Sequence, residues 1–246
     1  MSLEERSGKE VHFPSNPELF QFDAEVSKIF PSMAERSIPM YHEAHRAHVA
    51  MLHSWLEVAG VSVLDIGASR GGFLQHIVDA YGEERCRKSM RFHAIDNSAP
   101  MCEYLGEDFP YATVEWIDVT TEQFLTRRGR YDIVNMSYVL QFLDPSKQEA
   151  VLRHAAYLVR PGGVLIIGQK DFVPGFTGLL AQEEYIQFRI RNGYTRQEIE
   201  AKTRALRNAM FPLPDGAAAR IIEQCGFEEV QETTRWMLFS TLFCIK

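Results

Sequence analysis

The chain is poor in the features that announce export, membrane insertion or covalent stapling. It has only four cysteines, Cys86, Cys102, Cys225 and Cys244, with no C-x-x-C spacing and no paired rhythm. Buried thiols in a reducing cytoplasm are therefore expected, rather than a disulfide framework. Uncharged apolar stretches such as 164–168 fall far short of the roughly 20 residues that cross a bilayer, so no membrane segment is expected. The opening Met1–Ser2–Leu3–Glu4–Glu5–Arg6 has no apolar signal core, which points to a cytoplasmic rather than an exported protein. Positive charge is in deficit too. Against 33 Asp+Glu there are 26 Lys+Arg, a formal net charge of −7, so no direct DNA binding is expected.

What is present fits one α/β domain. Of 246 residues, 46% are hydrophobic and 24% charged, near the soluble-globular averages, which excludes disordered, collagen-like and coiled-coil chains. The first twenty residues, polar and broken by Pro14 and Pro17, read as a loose arm. A helical pattern at Phe22, Val26, Ile29 and Phe30 is predicted to stop at Pro31, with a second short segment stopping at Pro39. Residues 41–58 read as one amphipathic helix closed by Gly60, so that 1–60 forms an arm and lid over a domain spanning 61–246. Strands are then predicted at 61–66, 91–96, 112–117, 131–138 and 164–169, with helices at 71–81, 98–107 and 146–158 and a turn at Pro161–Gly162–Gly163. That alternation means a doubly wound, mostly parallel sheet. Residues 171–214 break the rhythm as a helical insertion over the strand ends, with helices at 179–191 and 196–210 joined at Asn192–Gly193. A helix at 215–225 and strands at 227–231 and 236–244 close the chain as an antiparallel hairpin.

The informative stretch is Val63–Leu64–Asp65–Ile66–Gly67–Ala68–Ser69–Arg70–Gly71–Gly72, where a strand ends in an acid and a glycine turn opens a helix. Glycine admits close approach of a ligand to the backbone, and the helix start favours a negatively charged group. A dinucleotide site wants G-x-G-x-x-G, and Ser69 stands at the second glycine. A nucleophile elbow matches Gly67–Ala68–Ser69–Arg70–Gly71, but it needs a late histidine. The histidine well downstream is His154, within a helix, and none lies in the C-terminal third. The stretch closely resembles the adenosylmethionine turn of class I methyltransferases, in which the strand-end acid, here Asp65, helps hold the methionine ammonium. That resemblance implies an acid ending the second strand to accept the ribose hydroxyls, and Asp96 is there, followed by Asn97. It also implies an acid after the third strand facing the adenine amino group, and Asp118 follows Trp116–Ile117. Acids in this order at successive carboxyl ends mark the crevice of such a sheet.

The chain also carries the phrases Phe22–Asp23 with Val26 and Phe30–Pro31, Arg36–Ser37–Ile38–Pro39–Met40–Tyr41, Ala94–Ile95–Asp96–Asn97–Ser98, Leu140–Gln141–Phe142–Leu143–Asp144–Pro145–Ser146 and Asn192–Gly193–Tyr194. In these it is similar, within that superfamily, to the carboxy-S-adenosyl-L-methionine synthase family. The resemblance implies a Rossmann-like class I methyltransferase fold. It further implies a homodimer that binds S-adenosyl-L-methionine or its carboxylated form, and transfer of a carboxyl group from prephenate to the sulfonium methyl through an ylide. The resemblance implies, too, that the product serves tRNA wobble-uridine modification. Carried over, the cofactor contacts are Tyr41, Gly67, Ala68, Ser69, Asp96, Asn97, Asp118, Val119 and, at the family's asparagine position, Ser137. The family arginine that grips the added carboxylate falls on Thr203, which has no guanidinium, leaving neighbouring Arg204 as the substrate-side candidate.

Other features have plainer readings. His42, His45, His48 and His53 wind around one helix rather than keeping the i, i+4 face of a zinc helix, so no metal is expected. Arg127–Arg128–Gly129–Arg130 reads as a solvated turn. The basic stretch Arg189, Arg191, Arg196, Arg204 and Arg207 is the best place in the chain for an anionic small-molecule substrate. No catalytic base is named, because sulfonium chemistry needs chiefly alignment and exclusion of water. An ordinary small-molecule methyltransferase and a non-catalytic adenosylmethionine-binding protein are the rival readings.

Overall fold

The computed structural model describes residues 22–246, so the expected loose arm over the first twenty residues lies outside it. The run Val61–Ile66 is apolar apart from Ser62 and Asp65 and is buried throughout, as a central parallel strand requires. This β1 pairs in parallel with β2 (Met90–Asp96) on one side and β4 (Tyr131–Ser137) on the other. Outside β2 lies β3 (Thr113–Trp116), and outside β4 lies β5 (Val159–Phe172). The C-terminal β7 (Glu229–Trp236) and β8 (Phe239–Ile245) add antiparallel to β5, giving the order β3-β2-β1-β4-β5-β8-β7. A two-residue β6 (Leu213–Pro214) pairs with the end of β5. The order reverses between β1 and β4, which opens a crevice at their carboxyl ends.

Local chemistry sets the helices. In α4 (Gly72–Tyr81) the chain enters through Gly71 at φ +72°. In α6 (Ala99–Asp108) Ser98 caps the amide of Met101, and in α8 (Pro145–Leu158) Asp144 caps that of Ser146 at 2.8 Å. Short helices α5 (Glu83–Ser89), α7 (Glu122–Leu125) and α11 (Ala217–Glu223) complete the layers on the sheet. Apolar clusters lie on the sheet, one around Ile95, Val134 and Leu152, another around Val63, Ile77 and Phe92.

Four expectations need correction. First, Pro31 does not end a helix: α1 runs Ala24–Ser37, capped by Asp23 at the amide of Val26. Val26, Met33, Ala34 and Ser37 are buried on either side of the proline, so packing of the whole face overrides the lost backbone bond. Second, the helix expected at 41–58 is broken at Leu52 into α2 (Tyr41–Met51) and α3 (His53–Leu56). Third, Pro161–Gly162–Gly163 does not precede β5 but lies inside it. Tyr131 pairs with Val159 and Ile133 with Val164, so the extra residues form an irregularity in the ladder. Fourth, Trp236 belongs to the first strand of the closing hairpin, which turns at Met237 with φ +48°.

The insertion forms α9 (Gly175–Arg191) and α10 (Arg196–Leu206). The Tyr185 hydroxyl of α9 donates to the Ser37 carbonyl at 2.9 Å, and the Tyr194 hydroxyl lies 3.1 Å from Ser37 Oγ. The end of α1 is thereby tied to the insertion above the strand ends. Cys86 and Cys244 are buried, Cys102 and Cys225 half-buried, and all four are free thiols.

Candidate functional site

Two cavities open at the crevice and share the Gly67–Ser69 turn. The first, about 320 Å³, is walled by Asp65, Asn135 and Ser137 from the strands, Tyr41 from α2, and Arg189 and Lys202 from the insertion. The second, about 810 Å³, is walled by Asp96, Asn97, Trp116, Ile117 and Val119. Phe22, Tyr138 and Phe142 line both, so the cavities form one bent trough.

The turn between them is built without tolerance. Gly67 has φ +66°, and a Cβ there would meet the Val139 side chain. The glycine is therefore required first by the packing of the protein on itself, not only by a ligand. Ser69, at φ +50°, is held in the left-handed region by its amide, which donates to Asp96 Oδ2 at 2.9 Å. The other Asp96 oxygen accepts the Ser98 amide, also at 2.9 Å. Both bonds aim the carboxylate before any ligand arrives. Burial raises its pKa, and the amides of Ser98 and Ser69 counter that.

Asp65 is 2% exposed and lies level with Asn135 on the neighbouring strand. The Asn135 amide donates to Asp65 Oδ1 at 2.6 Å, and the Ser137 hydroxyl donates to Asn135 Oδ1 at 2.7 Å. Burial pushes the Asp65 carboxyl up to about 7, against the Asn135 bond and with help from Asp96. A buried carboxyl so placed gains from a cation. Tyr41 closes the other side: its hydroxyl occupies the space that a Gly72 Cβ would fill. Burial pushes the phenols of Tyr41 and Tyr138 above their ordinary value, so both stay neutral donors.

Asp65, Gly67, Ala68, Ser69, Tyr41 and Ser137 thus meet at the first cavity, and Asp96, Asn97 and Val119 at the second. Asp118 stands apart. It is exposed, lines neither cavity, and accepts from the Thr120 amide and hydroxyl at 2.8 Å. Apolar Ile117 and Val119 face the trough instead, beside Trp116, whose indole donates to the Asn97 carbonyl. Arg204 is exposed and lines neither cavity, whereas Thr203 lines the first. Asn135, Trp116 and Lys170 belong to no motif, and sequence reasoning misses them as site residues. For Asn135 and Lys170 the available signal is a polar residue interrupting a buried run on a strand, and for Trp116 it is a large aromatic left exposed at the end of β3.

The geometry removes the elbow reading: the Ser69 hydroxyl reaches the Gly67 carbonyl at 3.4 Å, while His154 packs on Phe124 and lines neither cavity. Of the four histidines grouped in the sequence, His42 and His45 both pack on the His76 and Tyr41 rings, while His48 and His53 lie elsewhere. His42 bonds His76, His48 bonds Thr233, His53 bonds Tyr81, and His45 is buried against the Tyr41 ring. Arg127 pairs with Glu115 at 2.6 Å, and Arg130 lies 3.7 Å from the centre of the Tyr157 ring.

Comparison with known proteins gives a family reading of the same trough. A family profile described as "Methyltransferase domain" matches residues 63–163. The carboxy-S-adenosyl-L-methionine synthase of Helicobacter hepaticus is 30% identical over 92% of this chain and 95% of its own. That of Desulfotalea psychrophila is 29% identical over 95% and 94%. Among solved structures, magnesium protoporphyrin IX methyltransferase from Synechocystis PCC 6803 with bound SAH superposes with a TM-score of 0.58 at 16% identity, covering 89% of this chain and 95% of that one.

Proposed function

The chain belongs to the carboxy-S-adenosyl-L-methionine synthase family, and on that premise we propose that this transferase moves a carboxyl group from prephenate to the methyl of bound adenosylmethionine, the methyl proton and the hydroxide lost as the donor ring aromatises leaving as water beside an aromatic 2-oxo acid. The observation that carries the reading is the bent trough, with an aimed acid in one arm and a buried acid in the other, whose far wall is cationic. Bound adenosylmethionine supplies an activated methyl on a sulfonium centre. The residues present fit it. Asp96, already held by two amides, accepts the ribose hydroxyls on its remaining lone pairs, with Asn97 beside it. Ile117, Val119 and Trp116 give the adenine an apolar slot. Asp65, oriented by Asn135, takes the ammonium and is ionised by it.

Catalysis on this reading is alignment and dryness. Tyr41 and Tyr138, their rings 6.1 Å apart, flank the turn as neutral donors, and Phe22, Phe30 and Met33 cover it from the N-terminal side. On the same reading the protein works in the cytoplasm and its product serves tRNA wobble-uridine modification. It also works as a pair of copies. In support of pairing, Phe172, Phe176, Leu179 and Leu180 expose a cluster of large apolar side chains around the start of α9.

The test is incubation with adenosylmethionine and prephenate, followed by mass spectrometry of the nucleoside. A product heavier by one carboxyl group is expected. Methyl transfer to an added acceptor, with no carboxylated nucleoside, would replace the reading with ordinary methyl transfer. Binding without any turnover would leave a non-catalytic binder.

A further inference from the structure

The first cavity holds more positive charge than the cofactor needs. Arg189 of α9, Lys202 of α10 and Lys170 of β5 line its buried part and the exposed Arg207 its rim, and Asp65 is the only acid lining it among the described residues. Arg189 is 4% exposed, yet its Nε and Nη2 have no hydrogen-bond partner. Its guanidinium carbon lies 4.3 Å from the centre of the Tyr185 ring, which fixes the fork without neutralising it. Lys202, 7% exposed, donates to Ser37 Oγ at 3.0 Å. Lys170 Nζ lies 4.6 Å from the Tyr185 ring centre. Among the described residues, no carboxylate oxygen comes within 4.0 Å of any of the three cations.

Buried charges left unpaired are costly, and three of one sign also repel one another. Burial pushes Lys202 down to about 7 and Lys170 to about 8, and the Arg189 charge acts in the same direction on both. An arrangement that weakens the empty protein in this way is compensated by an anion of matching shape. A guanidinium with two free N–H directions takes a carboxylate bidentately, while a lysine adds a point charge. The family position that should supply this grip is Thr203, whose hydroxyl is spent on the Ile199 carbonyl at 2.7 Å.

We propose that Arg189 and Lys202, backed by Lys170, form a carboxylate-binding site that does in this chain what the family arginine does from the position of Thr203. The inference rests on the transfer reading above for the identity of its ligand. The carboxylates belong either to the incoming donor or to the carboxymethyl group of the product, and the measurements below separate the two.

Arg189→Met and Lys202→Met test it, with adenosylmethionine affinity, prephenate KM and carboxylated-cofactor affinity measured on each. The expected result is adenosylmethionine affinity within about twofold of the parent and at least a tenfold loss on one carboxylate ligand. A raised prephenate KM assigns the site to the donor, and a lost preference for the carboxylated cofactor assigns it to the product. Both variants should also melt no lower than the parent, because an unpaired buried charge is replaced by an apolar chain of similar length; a purely structural role predicts the opposite. Unchanged prephenate and product parameters overturn the proposal. If the parent makes no carboxylated product, the transfer reading fails first. The site is then judged by calorimetry of prephenate with the adenosylmethionine-loaded parent. Binding that either variant abolishes upholds the site, and no binding to the parent overturns it.

Discussion

Asp65, one residue before the end of β1, and Asp96, at the end of β2, stand on adjacent parallel strands in different surroundings. Asp96 is fixed by the amides of Ser69 and Ser98. Asp96→Ala should therefore lower adenosylmethionine affinity at least tenfold, since charge-assisted bonds to a ligand are worth about 1.5–3 kcal/mol, as calorimetry would read. Asp65, facing Tyr41, Asp96 and Asn135, has its pKa pushed up to about 7 by burial. A carboxyl raised above its unfolded value holds its proton more tightly when folded. Its stabilising contribution is present at low pH and is lost as pH rises through about 7. The ligand ammonium restores it. Adenosylmethionine affinity, and the rise in melting temperature it causes, should both grow between pH about 5.5 and about 7.5, above which the ligand's α-amino group, with a pKa of about 7.7–8.0, begins to lose its proton; Asp65→Asn should flatten the rising slope. A pH-independent affinity would remove Asp65 from the ammonium site. Gly67→Ala has two faults, a positive φ costing about 1–2 kcal/mol and contact with Val139. Adding Val139→Ala should recover only the second part, a coupling that denaturant melts would resolve.

Single elements carry function through their ends. In α10, Thr195 and Glu198 form a reciprocal cap, and seven residues beyond Thr195 the same helix carries Lys202 into the cavity. Thr195→Ala should cost about 0.5–2 kcal/mol of local stability. Because α10 supplies no part of the adenosine arm, the kinetic effect should be a raised prephenate KM with adenosylmethionine affinity unchanged. Equal losses in both would mean that α10 holds the whole trough. The continuation of α1 through Pro31 has the same logic. Proline chemistry favours a break, but the buried face from Val26 to Ser37 spans the proline and delivers Ser37 to Lys202 and Tyr185. Leu52 shows the reverse: the apolar periodicity of 41–58 runs on, yet the helix breaks there, with Leu52 fully buried.

The molecule as a whole carries unpaired charge in its trough, so ligand should stiffen it. Adenosylmethionine at 100 times its Kd adds about 2.7 kcal/mol, or roughly 5–10 °C in Tm for a chain of this size. Prephenate added second should raise Tm further in the parent and not in Arg189→Met. If copies pair through the start of α9, Phe176→Asp with Leu179→Asp should shift sedimentation toward a single chain while leaving adenosylmethionine affinity intact, since neither residue lines a cavity.

Much of this is legible in linear order because its causes are local. Alternating buried strands and amphipathic helices follow from backbone periodicity, and β1 spans Val61–Ile66 as the pattern predicts. The acids Asp65 and Asp96 stand out because a carboxylate closing an apolar strand is costly to bury without a partner or a ligand. The partnership of Asp65 with Asn135 needed a strand register, and the lining of the second cavity by Ile117, Val119 and Trp116, with Asp118 outside it, needed the path of the chain after β3. Above all, a row of arginines in the insertion could be seen but not sorted. Which of them is buried depends on how α9 and α10 close over strands far away in the chain. That closure leaves Arg204 in water and puts Arg189 beside Lys170 and Lys202, where the loss of solvent turns ordinary surface charge into a demand for an anion.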